Sequence, residues 1–391
     1  MADICAQVMT RGDDALRELG QRFDGWAPEQ GESFAVTQAE IQDAVARLSR
    51  ADRDALEFGA KRIRDFHSLQ RPEEFLGTKG LFLRTHPVRR AGLYAPGGRA
   101  AYPSTVLMTA IPARVAGVEE VVLATPPRAD GSVPAAILAA AQIAGVDSVY
   151  RVGGAQAIAA LAYGTASIPR VDVVAGPGNM YVTLAKKEVF GAVGIDGIAG
   201  PTEVVVLADG NARPDFVAAD LAAQLEHDPL AWGVLITDSP SLATRVEEEL
   251  DDLVRGLERA EIIRKANCCL IVADDMDQAV DVANDFAPEH LLIVAADADR
   301  IAARVDNAGA IFIGPYATVP LGDYVAGPNH TLPTSGAARF GSPLGVHTFL
   351  KRASVLSLNR GDLETLRDAT VRLAALEGLG AHAHAVEVRL E

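Results

Sequence analysis

The chain has 391 residues, of which 49% are hydrophobic, so it is long enough for more than one core and is not intrinsically disordered. Its formal net charge is −16 and no block of Lys or Arg occurs, which argues against a nucleic-acid or anionic-membrane surface. Three cysteines form no disulfide framework and no C-x-x-C metal spacing. Cys268 and Cys269 lie in an apolar stretch and are interpreted as small core residues.

No stretch approaches about 18 uninterrupted apolar residues, so no membrane span is predicted. The first seven residues lack the charged segment and the long apolar segment of a signal peptide. We therefore expect a cytoplasmic protein that contacts neither membrane nor nucleic acid.

Apolar residues in the first 70 positions recur at spacings of three and four. Leu16 and Leu19 share one face and Ile41 and Ala44 another, which predicts two amphipathic helices. From about residue 89, short apolar strands alternate with helical segments, which predicts an α/β fold with two doubly wound, Rossmann-like parallel sheets. The glycine-rich stretch 191–200 is the expected crossing between the sheets. The predicted strands are 91–95, 118–124, 149–152, 171–175, 203–208, 233–237, 268–273, 291–295 and 309–314.

The C-terminal part has a different composition. Residues 315–345 are rich in Gly and Pro, and a loop of that length in a compact domain is usually functional. A helix is expected at 362–377 and a short strand at 385–390. We interpret residues 345–391 as a separate C-terminal arm.

Glu289 and His290 occupy the turn between a helical segment, 276–286, and the strand 291–295. Pro288 ends the helix, because proline removes a backbone donor and restricts the preceding residue. An adjacent carboxyl and imidazole at a rigid boundary suit a general acid/base pair. The alternative is a solvated Glu289 and a His290 that merely begins a strand.

Helix 214–226 places Asp220 and Gln224 on one face, with His227 just beyond it. This spacing suits a metal pair, in which Asp220 is the more usual ligand, but a histidine at a helix C-terminus is also favoured by the helix dipole. Further candidates lie in the long loop and the tail, and their alternative is an ordinary turn or a polar chain end. They are Asp323, His330, Glu377, His382 and His384.

The dinucleotide signal is weak, since no G-x-G-x-x-G motif occurs. Gly176-Pro-Gly-Asn follows a strand and precedes a helix, which is the right context for a phosphate at a helix N-terminus. Spacing alone does not establish a nicotinamide cofactor.

Short motifs with polar residues recur in order along nearly the whole chain: Gly92-Leu-Tyr-Ala-Pro-Gly-Gly, Val152-Gly-Gly-Ala-Gln-Ala-Ile-Ala-Ala-Leu, Ala175-Gly-Pro-Gly-Asn, Gly200-Pro-Thr-Glu, Gln224-Leu-Glu-His, Ala287-Pro-Glu-His, Gly322-Asp-Tyr, Asn329-His-Thr-Leu-Pro-Thr, Ala337-Ala-Arg-Phe, Phe349-Leu-Lys-Arg and Glu377-Gly-Leu-Gly-Ala-His. Together they closely resemble the histidinol dehydrogenase family. The resemblance implies oxidation of L-histidinol to L-histidine through L-histidinaldehyde with two NAD⁺, in histidine biosynthesis.

The resemblance also implies roles for individual residues. His290 is the expected base for the alcohol proton, and Glu289 the base that activates water. One Zn²⁺ per subunit is expected on Gln224, His227, Asp323 and His382, which leaves Asp220 behind the ligands and His384 as a rival ligand. The implied substrate contacts are Thr202, Gln224, His227, His290, Asp323, Glu377 and His382, and the implied NAD⁺ contacts are Tyr94, Gln156 and Asn179.

The family is a homodimer with exchanged C-terminal arms, so His382 and Glu377 are expected to come from the partner subunit. The expected domains are 1–93 with 203–344, carrying zinc and catalytic residues, 94–202, binding NAD⁺, and the arm 345–391. Thr202 stands where the family commonly has serine, which keeps the hydroxyl and adds a methyl group. Two alternatives are a related zinc- and NAD-dependent alcohol dehydrogenase acting on another hydroxylated metabolite, and a zinc hydrolase.

Overall fold

The structure is a computed structural model that describes residues 1–72, 75–78, 80–97 and 101–391. Gly98, at the end of the first family motif, lies outside the described residues. Contacts divide the chain into two compact units, Met1–Arg71 with Val88–Phe349, and Pro72–Pro87 with Leu350–Glu391. The division into 1–93 with 203–344, 94–202 and an arm 345–391 stays a prediction.

Helices and strands alternate along most of the chain. The helices are α1 (Ala2–Arg11), α2 (Asp13–Phe23), α3 (Gln38–Arg47), α4 (Arg50–Ser68), α5 (Pro103–Ala116), α6 (Ala135–Ala144), α7 (Gly154–Tyr163), α8 (Met180–Val189), α9 (Pro214–Leu225), α10 (Pro240–Val254), α11 (Ala260–Ile263), α12 (Met276–Phe286), α13 (Ala298–Ala302), α14 (Val319–Tyr324), α15 (Arg360–Leu376) and α16 (Gly380–Glu387). The strands are β1 (Phe75–Thr78), β2 (Leu81–Pro87), β3 (Arg90–Tyr94), β4 (Glu120–Thr125), β5 (Ser148–Arg151), β6 (Val173–Ala175), β7 (Gly194–Ile195), β8 (Glu203–Ala208), β9 (Trp232–Thr237), β10 (Asn267–Val272), β11 (His290–Val294), β12 (Ala310–Ile313) and β13 (Leu350–Leu356).

The first unit contains two five-stranded sheets, ordered β5-β4-β3-β6-β7 and β10-β9-β8-β11-β12. All pairings within them are parallel. Each order runs outward from a central strand in one direction and then in the other, which is the doubly wound arrangement. The predicted α/β fold with two Rossmann-like sheets is therefore confirmed.

Helices cover the sheets because each strand alternates its apolar side chains between two faces. On β8, Val204 and Val206 pack in one buried cluster, and Val205 and Leu207 in another. In the first sheet, α5 packs on β3 and β4, while α7 packs on β3, β4 and β6. Buried strands of this kind read as continuous apolar runs, which is how both sheets were recognisable in the sequence.

The N-terminal region forms four helices, α1 to α4, where the sequence predicted two. The two predicted faces are those of α2 and α3, and the additional helices are α1 and α4. Gly12, at φ +54°, separates α1 from α2, and Ser49 caps α4 by accepting a hydrogen bond from the Asp52 amide. These helices pack on the first sheet's own helices, α1 and α2 on α7, and α3 and α4 on α6.

The second unit has a three-stranded antiparallel sheet, β1-β2-β13, with α15 and α16. The strand predicted at 385–390 is wrong, because α16 continues to Glu387. The sequence there alternates apolar and polar residues, but the Val388 amide donates to the His384 carbonyl, four residues back, as in a helix. The long segment 315–345 is also less irregular than expected, since it contains α14 and a 3₁₀ turn at Ala337–Arg339.

The two adjacent cysteines differ in exposure. Cys268 is exposed and Cys269 is partly buried, because β10 is an edge strand, so their interpretation as core residues is wrong for Cys268. Among the described residues, no helix has the length and apolarity needed to cross a membrane.

Candidate active site

The candidate site is a cavity of 380 Å³ in the first unit. Its walls come from the loops after β3 and β6 in the first sheet and from the residues around the starts of β8 and β11 in the second. The carboxyl edge of the first sheet and the amino edge of the second thus both border the cavity, together with residues between 323 and 334, which follow β12. The predicted site residues that line the cavity are Asn179, Thr202, Gln224, His227, Glu289, His290, Asp323 and His330.

The turn at Glu289 and His290 forms for local reasons. Helix α12 ends with Ala287 in the left-handed region at φ +53°, and Pro288 prevents its continuation. His290 then begins β11 and lies opposite Val204 of β8. As a result both side chains are buried, with Glu289 7% and His290 4% exposed.

The Glu289 carboxylate is held by hydrogen bonds. Its Oε2 accepts from the Thr202 hydroxyl at 2.5 Å and from the Glu203 amide at 2.9 Å. Burial raises the pKa of Glu289 to about 7, although these two hydrogen bonds favour the charged form. A carboxyl with a pKa near neutrality is suited to accept a proton during a reaction.

The tautomer of His290 follows from its partner. Its Nδ1 lies 3.0 Å from the main-chain oxygen of Glu203, and a carbonyl only accepts, so Nδ1 carries the hydrogen. Nε2 is therefore free to accept a proton, and it lies 3.9 Å from Oδ1 of Asp323. Burial lowers the pKa of His290, which keeps the imidazole neutral.

Gln224, His227 and Asp323 present a set of metal-type donors to the same cavity. The Gln224 amide nitrogen donates to the Thr202 hydroxyl, which leaves its amide oxygen available. Among the described residues, neither the His227 ring nor the Asp323 carboxylate forms a hydrogen bond, and burial raises the pKa of Asp323 to about 6. An imidazole and a carboxylate that form no hydrogen bond, beside a free amide oxygen, fit a zinc ion.

The described residues contain no cluster of three or more His, Cys, Asp or Glu side chains that could hold a metal. The fit of the donor set therefore depends on the amide of Gln224. Glu377 and His382 lie in the second unit, where both are exposed. Asp220, the alternative ligand in the sequence, instead accepts a hydrogen bond from Thr318, just before α14.

The three predicted NAD⁺ contacts differ in position. Asn179 lines the cavity and caps α8, accepting from the amides of Tyr181 and Val182. Tyr94 and Gln156 are nearly fully buried outside the cavity lining. The Tyr94 hydroxyl accepts from the Gly154 amide at 3.0 Å, and the Gln156 amide donates to Asp24 at 3.2 Å.

Glu203 was not singled out by sequence reasoning. It is 6% exposed, and its main chain contacts both Glu289 and His290. A signal was present, because Glu203 is a charged residue at the head of a strand whose other residues are all apolar. The sequence could not tell whether that carboxyl pointed inward.

The doubly wound sheets and the buried acid and imidazole pair define an α/β enzyme, and comparisons with known proteins make it an oxidoreductase. The family model for histidinol dehydrogenase matches residues 1–390. The chain belongs to the histidinol dehydrogenase family.

Similar proteins support this assignment at the level of sequence and structure. The chain is 51% identical to a histidinol dehydrogenase of a Synechococcus species, over 99% of this chain and 91% of the relative. It is 48% identical to that of Prochlorococcus marinus, over 100% of this chain and 89% of the relative. The crystal structure of histidinol dehydrogenase from Elizabethkingia anophelis matches with a TM-score of 0.95 at 34% identity, covering 100% of this chain and 91% of that one.

A more distant likeness concerns the fold alone. An acetylating aldehyde dehydrogenase from Geobacillus thermoglucosidasius matches with a TM-score of 0.53 at 16% identity, covering 92% of this chain and 99% of that one. The chain therefore shares its overall fold with that protein.

Proposed function

We propose that this chain oxidises L-histidinol to L-histidine through L-histidinaldehyde, with two NAD⁺ and one zinc ion per subunit, in histidine biosynthesis. The proposal includes a cytoplasmic homodimer with exchanged C-terminal arms. The observation that carries it is the burial of Glu289 and His290 side by side in the cavity that also receives Gln224, His227 and Asp323. Two bases at one position suit two successive oxidations of one carbon.

The chain's own residues would hold both the zinc ion and NAD⁺. Gln224, His227, Asp323 and the partner subunit's His382 would hold zinc, while Asn179, Tyr94 and Gln156 would hold NAD⁺. When bound, zinc would orient the imidazole and amino groups of histidinol, and NAD⁺ would accept a hydride in each oxidation. Thr202 and the partner subunit's Glu377 complete the proposed substrate contacts.

The two bases divide the proton transfers. His290 Nε2 accepts the alcohol proton while the carbon loses its hydride, which gives the aldehyde. Glu289 then accepts a proton from water as the water oxygen bonds to the aldehyde carbon, and the protonated His290 returns its proton to the former carbonyl oxygen, which gives the hydrate and leaves His290 neutral. His290 accepts a hydroxyl proton in the second oxidation, so that one histidinol and one water yield histidine, two NADH and three protons.

The test is NADH release from the purified protein supplied with L-histidinol and NAD⁺. We expect two NADH per histidinol, loss of activity when zinc is removed, and recovery when zinc is restored. Glu289→Gln should slow the second oxidation by about 10²–10⁴-fold, which is the usual contribution of a general base, while the first oxidation continues.

The outcomes separate the alternatives. One NADH per substrate from the unaltered protein would indicate an ordinary alcohol dehydrogenase. No NADH from a zinc-loaded dimer would contradict the proposal and favour another hydroxylated substrate. Zinc-dependent hydrolysis without any effect of NAD⁺ or of Asn179→Ala would instead indicate a hydrolase.

A further inference from the structure

The carboxylate of Glu203 lies beneath the cavity and joins two segments that line it. Its Oε1 accepts a hydrogen bond from the Ser335 amide at 3.0 Å, and its Oε2 accepts from the Glu289 amide at 3.4 Å. In return, the Glu203 amide donates to the Glu289 carboxylate. Each of the two glutamates therefore receives the other's main-chain N–H.

The segment held by Oε1 has a demanding conformation. Ser335 is at φ +55°, and among the described residues only Ser335 and Ala287 are non-glycine residues with positive φ. Ser335 donates its amide to the Glu203 carboxylate, and Ala287 lies two residues before Glu289, whose amide donates to the same carboxylate. Such conformations are strained for a residue with a side chain and persist only where surrounding contacts fix them.

The same segment is packed closely against the entry to β8. Thr334 accepts a hydrogen bond from the Gly200 amide at 2.5 Å. A side chain at position 200 would meet the Ser335 hydroxyl, because a Cβ there would lie 2.1 Å from it. The Ser335 segment, the entry to β8 and the Glu289 turn therefore form one tightly packed wall of the cavity.

We propose that Glu203 is a positioning residue for the catalytic pair, holding the main chain of Glu289 in register with the Ser335 segment. Its main-chain oxygen fixes the His290 ring, and its carboxylate fixes the peptide that carries the Glu289 side chain. Burial raises the pKa of Glu203 to about 7, as it does for Glu289, which accords with two carboxyls that share an apolar setting. The assignment of catalytic roles to Glu289 and His290 rests on the proposed function, whereas the anchoring by Glu203 does not.

Two variants distinguish this role from ordinary packing. Glu203→Gln keeps one acceptor for Ser335 but turns an amide N–H₂ toward the Glu289 amide, and Glu203→Ala removes both acceptors. The matched control is Glu120→Gln, since Glu120 also begins a strand, β4, but is paired with Arg90 in the other sheet. For each protein, amide hydrogen exchange is measured in the peptides around 289 and 335, together with the rate of NADH formation.

In the Glu203 variants, we expect amide exchange to accelerate about tenfold in the peptides around 289 and 335, because local opening becomes easier once the anchor is lost. In Glu120→Gln, exchange in these two peptides should be unchanged. The kcat for L-histidinaldehyde oxidation should fall about tenfold in Glu203→Gln and about 100-fold in Glu203→Ala, since small misplacements of a base are costly. The KM for L-histidinol and the zinc content should stay within about twofold of the unaltered protein, because, in the described part of the chain, Glu203 forms hydrogen bonds with Glu289, His290 and Ser335 and none with Gln224, His227 or Asp323.

Unchanged exchange in both peptides would overturn the proposal, whatever happens to the rate. If Glu203→Gln lowers zinc content and kcat and raises KM, all by similar factors, the proposal is also overturned, because that pattern describes a general packing defect. If Glu203→Ala does not fold, Glu203→Gln decides. If the unaltered protein forms no NADH from L-histidinol, the proposed function fails, and the exchange measurement alone still decides whether Glu203 anchors Glu289.

Discussion

Glu289 sits where a charge is poorly tolerated. Its carboxylate is stabilised by the Thr202 hydroxyl and the Glu203 amide, and the imidazole of His290 lies 3.5 Å away. Because burial lowers the pKa of that imidazole, it does not supply a compensating positive charge at neutral pH. The ionised form that a base requires is therefore the form that the folded protein disfavours.

This conflict predicts a pH-dependent effect of Glu289→Gln on stability. The folded pKa, about 7, lies above the ordinary 4.5, so the protonated carboxyl favours folding below about pH 4.5 and that benefit is lost as pH rises through 7. Glutamine stays neutral throughout. In metal-free protein, the free energy of unfolding of Glu289→Gln should therefore gain about 2–3 kcal/mol relative to the unaltered protein between pH 4.5 and pH 8.

Urea unfolding at the two pH values measures this difference, and any hydrogen bond lost with the carboxylate cancels because it affects both values. Glu261→Gln is the control, since the Glu261 side chain is 80% exposed. Equal pH dependence in Glu289→Gln and Glu261→Gln would show that burial does not disfavour the charge of Glu289.

At the level of elements, two buried charged side chains, Lys186 and Asp196, hold the loop between β6 and α8 like a clamp. The Lys186 ammonium donates to the Gly176 carbonyl at 3.0 Å, and Asp196 accepts from the Gly176 amide at 2.7 Å. Lys186 and Asp196 also form an ion pair in which each side chain is only 4% exposed. This clamp fixes the loop that brings Asn179 to the cavity.

Removing one member of the clamp should destabilise the fold strongly. Lys186→Met should lower the free energy of unfolding by about 3–5 kcal/mol, because it leaves the Asp196 charge buried without its partner. Lys61→Met is the control, since its pair with Asp65 is exposed and its loss should cost under about 1 kcal/mol. Urea unfolding compares them, and adding Asp196→Asn to Lys186→Met should cost less than the two single changes together.

Local signals explain which elements the sequence predicted. Some features depend only on residues that are close together in the sequence, and these are found within one residue of their predicted positions. They are the apolar strands β8 and β11, the helix end at Pro288 and the Gly176-Pro-Gly-Asn turn. The tail shows the limit of such signals. Residues 385–390 alternate like a strand, yet neighbouring backbone groups close a helix there, which periodicity over six residues does not reveal.

At the scale of the whole molecule, the site depends on contacts between residues that are far apart in the sequence. Gln224 and His227 are neighbours through helix spacing, but the hydrogen bond from Thr202 to Glu289 spans 87 positions and depends on β8 lying beside β11. Sequence periodicity does not give strand order, so it could not bring these residues together or reveal the contacts of Glu203. From the sequence, only the family resemblance predicted that these residues belong to one site.

The assembly yields a prediction of its own. In a mixed dimer of one Glu289→Gln chain and one His382→Asn chain, exchanged arms would leave one of the two sites without either change. Such mixed dimers should therefore recover about half of the unaltered activity per dimer, whereas each variant alone should show little full turnover. Isolated mixed dimers with differently tagged chains allow this measurement. Little turnover in the mixed dimer would show that each site is built from one chain.

The opposed use of the two sheet edges has an evolutionary consequence. In the first sheet, the loops that follow β3 and β6 border the cavity, so an insertion there would intrude on the proposed cofactor wall. In the second sheet, Thr202 precedes β8, Glu289 precedes β11 and His290 begins β11, whereas the loops that follow these strands, 209–213 and 295–297, lie at the far edge. Two sheets of identical strand order thus differ in the loops that follow their two central strands: we expect added sequence to be accepted after β8 and β11 more readily than after β3 and β6.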